Sequence, residues 1–132
     1  MRSALLDLTP IISATACHQR NYVERYSRFK EAVLSEAHLE EAILWRVHLE
    51  GAHLWAAHLE GAVLWETYLE EANLSEAHLE GANFIGAYLQ RTRLMKTNLT
   101  KVKNLTQDQV DMACIDEKTI LPEGLTKPPL CP

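Results

Sequence analysis

Ala32 to Lys101 reads in fives as AVLSE, AHLEE, AILWR, VHLEG, AHLWA, AHLEG, AVLWE, TYLEE, ANLSE, AHLEG, ANFIG, AYLQR, TRLMK, TNLTK, and SRFKE at Ser27 to Glu31 is the same unit one step earlier. The third residue is Leu or Phe in all fifteen units: Phe29, Leu34, Leu39, Leu44, Leu49, Leu54, Leu59, Leu64, Leu69, Leu74, Leu79, Phe84, Leu89, Leu94 and Leu99. The first residue is small or β-branched throughout, with ten Ala, three Thr, one Ser and one Val. A fixed period of this kind marks a repeat architecture and decides the fold before any local reading does.

A helix uses this pattern badly. At 3.6 residues per turn, a five-residue step rotates each Leu by about 140°, so the leucines never line one face. Ala, Leu and Glu favour helix locally, but the need for a one-sided core outranks propensity. A short extended segment followed by a corner fits. In an extended A-x-L, the first and third side chains point the same way. The fourth and fifth residues then form the centre of a four-residue turn. A type II turn requires positive φ at its third position and favours Gly there. The fifth residue of the unit falls at that position and is Gly at Gly51, Gly61, Gly81 and Gly86. It is Glu at Glu36, Glu41 and Glu71, which predicts a different turn type at those corners. Repeated corners wind the chain into a coil, and successive coils stack about 4.8 Å apart through backbone hydrogen bonds.

The fifteen consecutive A-(polar)-L-x-x units over Ser27 to Lys101 resemble the pentapeptide-repeat proteins, and the ending NLTQDQVDMAC…LPEGLTKP is similar to their usual tail. The resemblance implies an all-β fold, a right-handed quadrilateral β-helix with four pentapeptides per coil. Fifteen units then make nearly four coils. Asp or Asn is common at the second residue in this family. Here that position holds His38, His48, His53, His58 and His78, with Ile43 and Val63, and the fourth residue is Trp three times. Features specific to this chain are expected at these outward positions.

If residues twenty apart stack, the outward side chains form four faces. One carries His38, His58 and His78 beside Glu40, Glu60 and Glu80. The opposite one carries His48, Tyr68 and Tyr88 beside Glu50, Glu70 and Gln90. A third carries Val33, His53, Asn73 and Arg93, with Trp55 among Ser35, Ser75 and Met95. The fourth stacks Ile43, Val63 and Asn83 beside Trp45, Trp65 and Ile85. Ile43, Trp45, Val63, Trp65 and Ile85 form a candidate interaction face, since an exposed apolar patch of several hundred Å² marks an interface unless the chain covers it itself. The N-terminal segment is the alternative cover.

The sequence divides into an N-terminal segment 1–26, the repeat 27–104 and a C-terminal segment 105–132. Thr9-Pro10 reads as an N-cap with Pro at the first helical position, so a short helix from about Pro10 toward Arg20 is expected to cover the first coil. Thr106-x-x-Gln109 is a capping box, with Leu105 and Val110 as its hydrophobic staple. A short helix closing the other end is expected, with Val110, Ala113 and Cys114 on one apolar face. The segment Ile120 to Leu125 is expected to pack beside it, and Pro128 to Pro132 to be loose.

Charge is uneven. Glu31 to Gln90 holds eleven Glu against one base, Arg46, whereas Arg91 to Lys103 holds five bases and no acid. An acidic body excludes direct nucleic-acid binding through a basic face. Cys17, Cys114 and Cys131 show neither metal spacing nor a paired framework, which favours a reducing cytoplasm. No apolar run approaches the roughly 20 residues of a membrane span. The N-terminus imitates a secretory signal with Arg2 and Ala14-Thr15-Ala16-Cys17, but Asp7 and Pro10 interrupt its apolar part.

Nothing in the sequence has the pattern of a catalytic site: there is no nucleophile elbow, phosphate-binding Gly loop or Cys/His/Asp arrangement. No cofactor is expected. The histidine ladder tempts a metal reading, but imidazoles about 4.8 Å apart are an awkward bite for zinc, and stacked, solvent-facing rings are the plainer expectation. The expected function is therefore a non-catalytic solenoid that binds a protein partner or itself, as a homodimer. The resemblance supplies one alternative, since the quinolone-resistance members of the family are acidic rods that occupy the DNA site of gyrase. An appendage of a larger protein is a third reading.

Overall fold

The computed structural model describes residues 29–131. Ser27 and the segment 1–26, with its expected helix, lie outside the described residues.

Parallel bridges join residues twenty apart along every side of the coil: Val33 to His53 to Asn73, His38 to His58 to His78, Ile43 to Val63 to Asn83, and His48 to Tyr68 to Tyr88. Each five-residue unit is used the same way. The second residue's N–H donates to the first residue's carbonyl one coil back, as from His53 to Ala32 at 2.9 Å. The third donates to the second residue's carbonyl one coil on, as from Leu34 to His53 at 2.7 Å. The fifth donates to the fourth residue's carbonyl one coil on, as from Glu36 to Trp55 at 2.8 Å. The next first residue closes the corner, as from Ala37 to Leu34 at 3.0 Å. The repeat thus answers four of every five backbone donors without a long strand.

The corners correct one expectation. Glu31, Glu36, Glu41, Glu66, Glu71 and Glu76, with Arg46, Ala56, Arg91 and Lys96, all take φ between 51° and 61°, close to the 63° to 76° of Gly51, Gly61, Gly81 and Gly86. Every fifth residue from Glu31 to Lys96 is left-handed whatever its identity, so the Glu corners use no separate turn type. Register explains it: a corner of different geometry would shift the next side off the one beneath. The steric penalty of roughly 1–2 kcal/mol for a residue with a Cβ is offset by the inter-coil bonds.

The core is the column of third residues flanked by first residues. Leu39, Leu44, Leu54, Leu64, Leu74, Phe84, Leu94 and Leu99 are buried, as are Ala42, Ala52, Ala62 and Ala82 between them, while Phe29 at the start of the column is half-buried. Where Thr replaces Ala, its hydroxyl donates to a third-residue carbonyl one coil back: Thr67 to Leu44 at 2.8 Å, Thr92 to Leu69 at 2.7 Å and Thr97 to Leu74 at 3.2 Å.

The stack continues past Lys101. Lys103 bridges Asn83, Cys114 bridges Arg93, and Ile120 bridges Asn98. Between the first two of these bridges the chain detours through helix α1, Gln107–Met112, entered by the full Thr106–Gln109 capping box. The Gln109 side chain also donates to the carbonyls of Phe84 and Ala87 at 2.8 and 2.9 Å, the second being an acceptor that a further coil would have filled. The expected helical face is corrected. Val110 is buried on α1, but Ala113 is its extended C-cap and Cys114 has already rejoined the stack. Cys114 is also not a free core thiol. It forms a disulfide with Cys131 across Cα atoms 5.3 Å apart, inside the usual range for such a bridge. The tail from Pro128 onward is therefore tied back, and cysteine usage no longer argues for a reducing compartment. Among the described residues, no helix is long and apolar enough to cross a membrane.

Candidate functional site

Alternation sends second and fourth residues outward, and the twenty-residue register turns them into ladders. The apolar face follows: Ile43, Trp45, Trp65 and Ile85 are each 39–44% exposed, with Val63 half-buried among them. These side chains stand on three successive coils. The Arg46 guanidinium lies 5.1 Å from the Trp45 ring centroid and donates to Glu66 at 2.5 Å, which fixes one margin of the face. Asn83 marks the other end, its oxygen accepting from Ile85 N–H at 3.3 Å and from the Asn104 amide at 3.0 Å. The third face carries exposed Val33 and Trp55, while Ser75 donates to Met95 sulfur at 3.8 Å.

The histidine face is a stack of planar rings. His38 and His58 have centroids 4.7 Å apart, and His58 and His78 4.5 Å apart, with planes within 5°. The opposite face stacks His48 on Tyr68 at 4.3 Å and Tyr68 on Tyr88 at 4.9 Å. Three of the imidazoles meet the Glu two residues on: His38 Nδ1 with Glu40 at 2.9 Å, His48 with Glu50 at 2.9 Å and His58 with Glu60 at 3.4 Å. The bond from His38, with that from its own backbone N–H, holds the Glu40 carboxyl below the ordinary range. Burial pushes Glu50 up, but the bonds from His48, its own N–H and Lys30 outweigh it and leave it lowered.

These His-x-Glu pairs stand in for Asn. The fourth residue's N–H has no acceptor in the coil ladder, and an Asn at the second residue supplies one: Asn73 to Ser75 at 3.0 Å, and Asn98 to Thr100 at 3.0 Å. At Glu40 and Glu50 the carboxylate takes its own N–H instead and is steadied by the histidine. The repetition of H-x-E at positions 38, 48, 58 and 78 was the available signal for this arrangement.

The basic run is not a basic patch. Arg91 pairs with Glu71, Lys96 with Glu76 at 3.2 Å and Lys101 with Glu80 at 2.5 Å, each with the coil beneath. A twenty-residue offset applied to the charges would have revealed the first two pairs, while Lys101 and Glu80 stand twenty-one apart. Two groupings could offer three metal donors: His38, Glu40 and His58, and His58, Glu60 and His78.

The family model for pentapeptide repeats matches residues 27–65 and 66–100, in eight copies. Among solved structures, a pentapeptide repeat protein from the thylakoid lumen of Arabidopsis thaliana is 25% identical, with a TM-score of 0.53, over 72% of this chain and 58% of that one. The pentapeptide repeat protein Rfr23 from the cyanobacterium Cyanothece 51142 is 29% identical over 69% of this chain and 61% of that one, with a TM-score of 0.45. HetL, a pentapeptide repeat protein involved in heterocyst differentiation regulation in Nostoc sp. strain PCC 7120, is 34% identical over 70% of this chain and 42% of that one, with a TM-score of 0.33. The chain thus spans about two fifths to three fifths of the length of these structures. No curated protein matches it.

Proposed function

Taking as premise that the chain belongs to the pentapeptide-repeat family, we propose that it is a non-catalytic scaffold that docks a protein, or a second copy of itself, on the face of Ile43, Trp45, Val63, Trp65 and Ile85. The observation that carries this reading is the exposure of Trp45, Trp65 and Ile85, each above 40%, at equivalent positions of three adjacent coils. Large aromatic area in a flat, backbone-fixed array binds at low entropic cost, because only side-chain torsions need settle. In the same reading the coil is right-handed and four-sided, and the tail from 105 closes its last turn.

Sedimentation and tryptophan emission test the reading together. The wild type is expected to self-associate with a blue-shifted emission, and Trp45→Ser with Trp65→Ser to remain monomeric. Unchanged mass and unchanged N-terminal protease sensitivity in the double variant would exclude this face. The acidic-regulator reading is weaker, since Glu66, Glu71, Glu76 and Glu80 are partly neutralised by cations one coil away. A gyrase supercoiling assay decides it.

A further inference from the structure

Away from the apolar face, the histidine ladder brings three metal donors together. We propose that His58, Glu60 and His78 bind one zinc ion, as two imidazoles and a carboxylate with a fourth position left to water. One donor atom from each of the three lies within 4.8 Å of the others. Zinc ligands at 2.0–2.1 Å in a tetrahedron stand about 3.4 Å apart. The two rings are stacked 4.5 Å apart on a bridged backbone, and His78 is exposed, so side-chain torsions alone close the gap. Spacing argues against zinc only while imidazoles are counted alone; the carboxylate of the fourth residue supplies the third donor.

A second observation points the same way. Glu60 Oε2 is shielded from solvent and accepts no hydrogen bond among the described residues. An anionic oxygen in that state is costly, and a cation beside it removes the cost. Glu50 and Glu70 carry the same orphaned oxygen. Their neighbouring rings are His48, Tyr68 and Tyr88, which supply at most one imidazole. The set of His38, Glu40 and His58 shares His58, but Glu40 has no orphaned oxygen, and His38 holds its carboxylate at 2.9 Å where His58 meets Glu60 only at 3.4 Å. Only one ion can occupy His58, and the orphaned oxygen places it on the Glu60 side.

The test is calorimetric titration of the full chain with zinc chloride. One zinc per chain is expected. His58→Gln, His78→Gln and Glu60→Gln should each weaken binding at least tenfold, with His38→Gln and His48→Gln unchanged. All these side chains point outward, and a wild-type far-ultraviolet spectrum verifies each variant's fold. Zinc should also protect His58 and His78 of the unsubstituted chain from diethyl pyrocarbonate. Absence of binding at millimolar zinc, wild-type affinity in His78→Gln, loss in His38→Gln, or no protection would each overturn the assignment.

Discussion

Thr67 shows how much one atom decides in this repeat. Alanine in the first position fills the corner of the coil and leaves the third-residue carbonyl beneath with one donor, the turn N–H. Threonine adds a second, from its hydroxyl to Leu44 at 2.8 Å, in a position with no solvent exposure. Thr67→Val keeps shape and volume and removes only that bond. It is expected to cost about 1 kcal/mol, with the denaturant slope unchanged. A midpoint equal to the wild type's in urea would mean the hydroxyl contributes nothing. At this scale the sequence is legible wherever alternation governs, because period two dictates that Leu64 and Trp65 face opposite ways. It is illegible at the corners. Glu41 gives no sign of a left-handed backbone, since the register of the whole stack imposes φ there and local preference opposes it.

Beyond the regular units, the tail is an element built by exception. Ala113-Cys114-Ile115-Asp116-Glu117 and Thr119-Ile120-Leu121-Pro122-Glu123 still follow the small-x-apolar rule, and Ile115 and Thr119 are buried accordingly. They escape a strict reading in fives because α1 and Lys118 are inserted between them and the rest, widening the bridge offset from 20 to 21 and then 22. The capping box was legible because its chemistry is local. The disulfide was not, because a separation of 17 residues carries no geometry. Asp116 holds this element to the stack. Its Oδ1 accepts from the N–H groups of Lys96 at 3.0 Å, Lys118 at 3.0 Å and Thr119 at 2.9 Å, and from the Thr119 hydroxyl at 2.9 Å. The Lys96 bond above all, with those from Thr119 and Lys118, outweighs burial and keeps the carboxyl below its ordinary value. A lowered folded pKa means that the carboxylate stabilises the fold above the unfolded value of about 3.9, and that this is lost as pH falls through the folded value. Asp116→Asn is therefore expected to match the wild type more closely at pH 3 than at pH 7, in thermal midpoint and in proteolysis of the tail. An equal difference at both pH values would show that ionisation of Asp116 is not what binds the tail.

At the scale of the molecule, each coil is held only by its neighbours. Stability in such a stack is close to a sum of coil and interface contributions, so position along the axis matters more than side-chain identity. The charges obey the same geometry: an acidic coil is relieved by cations on the next, as with Glu71 and Arg91. Leu64 is fully buried in the middle of the column. Leu64→Asp removes its apolar burial, worth about 1.5–3 kcal/mol, and leaves a carboxylate with no cation inside the column to answer it. The sum reaches the total stability of a small domain, about 5–15 kcal/mol. Both coil interfaces at that level fail together, and the coils on either side are too few to keep a core of their own. The variant is expected to lose its β signal entirely and to melt without a cooperative transition, while Glu66→Ala, on the outer wall two residues away, melts as a folded protein. Retention of about half the signal with one residual transition would show instead that the coils on either side of Leu64 fold as separate units.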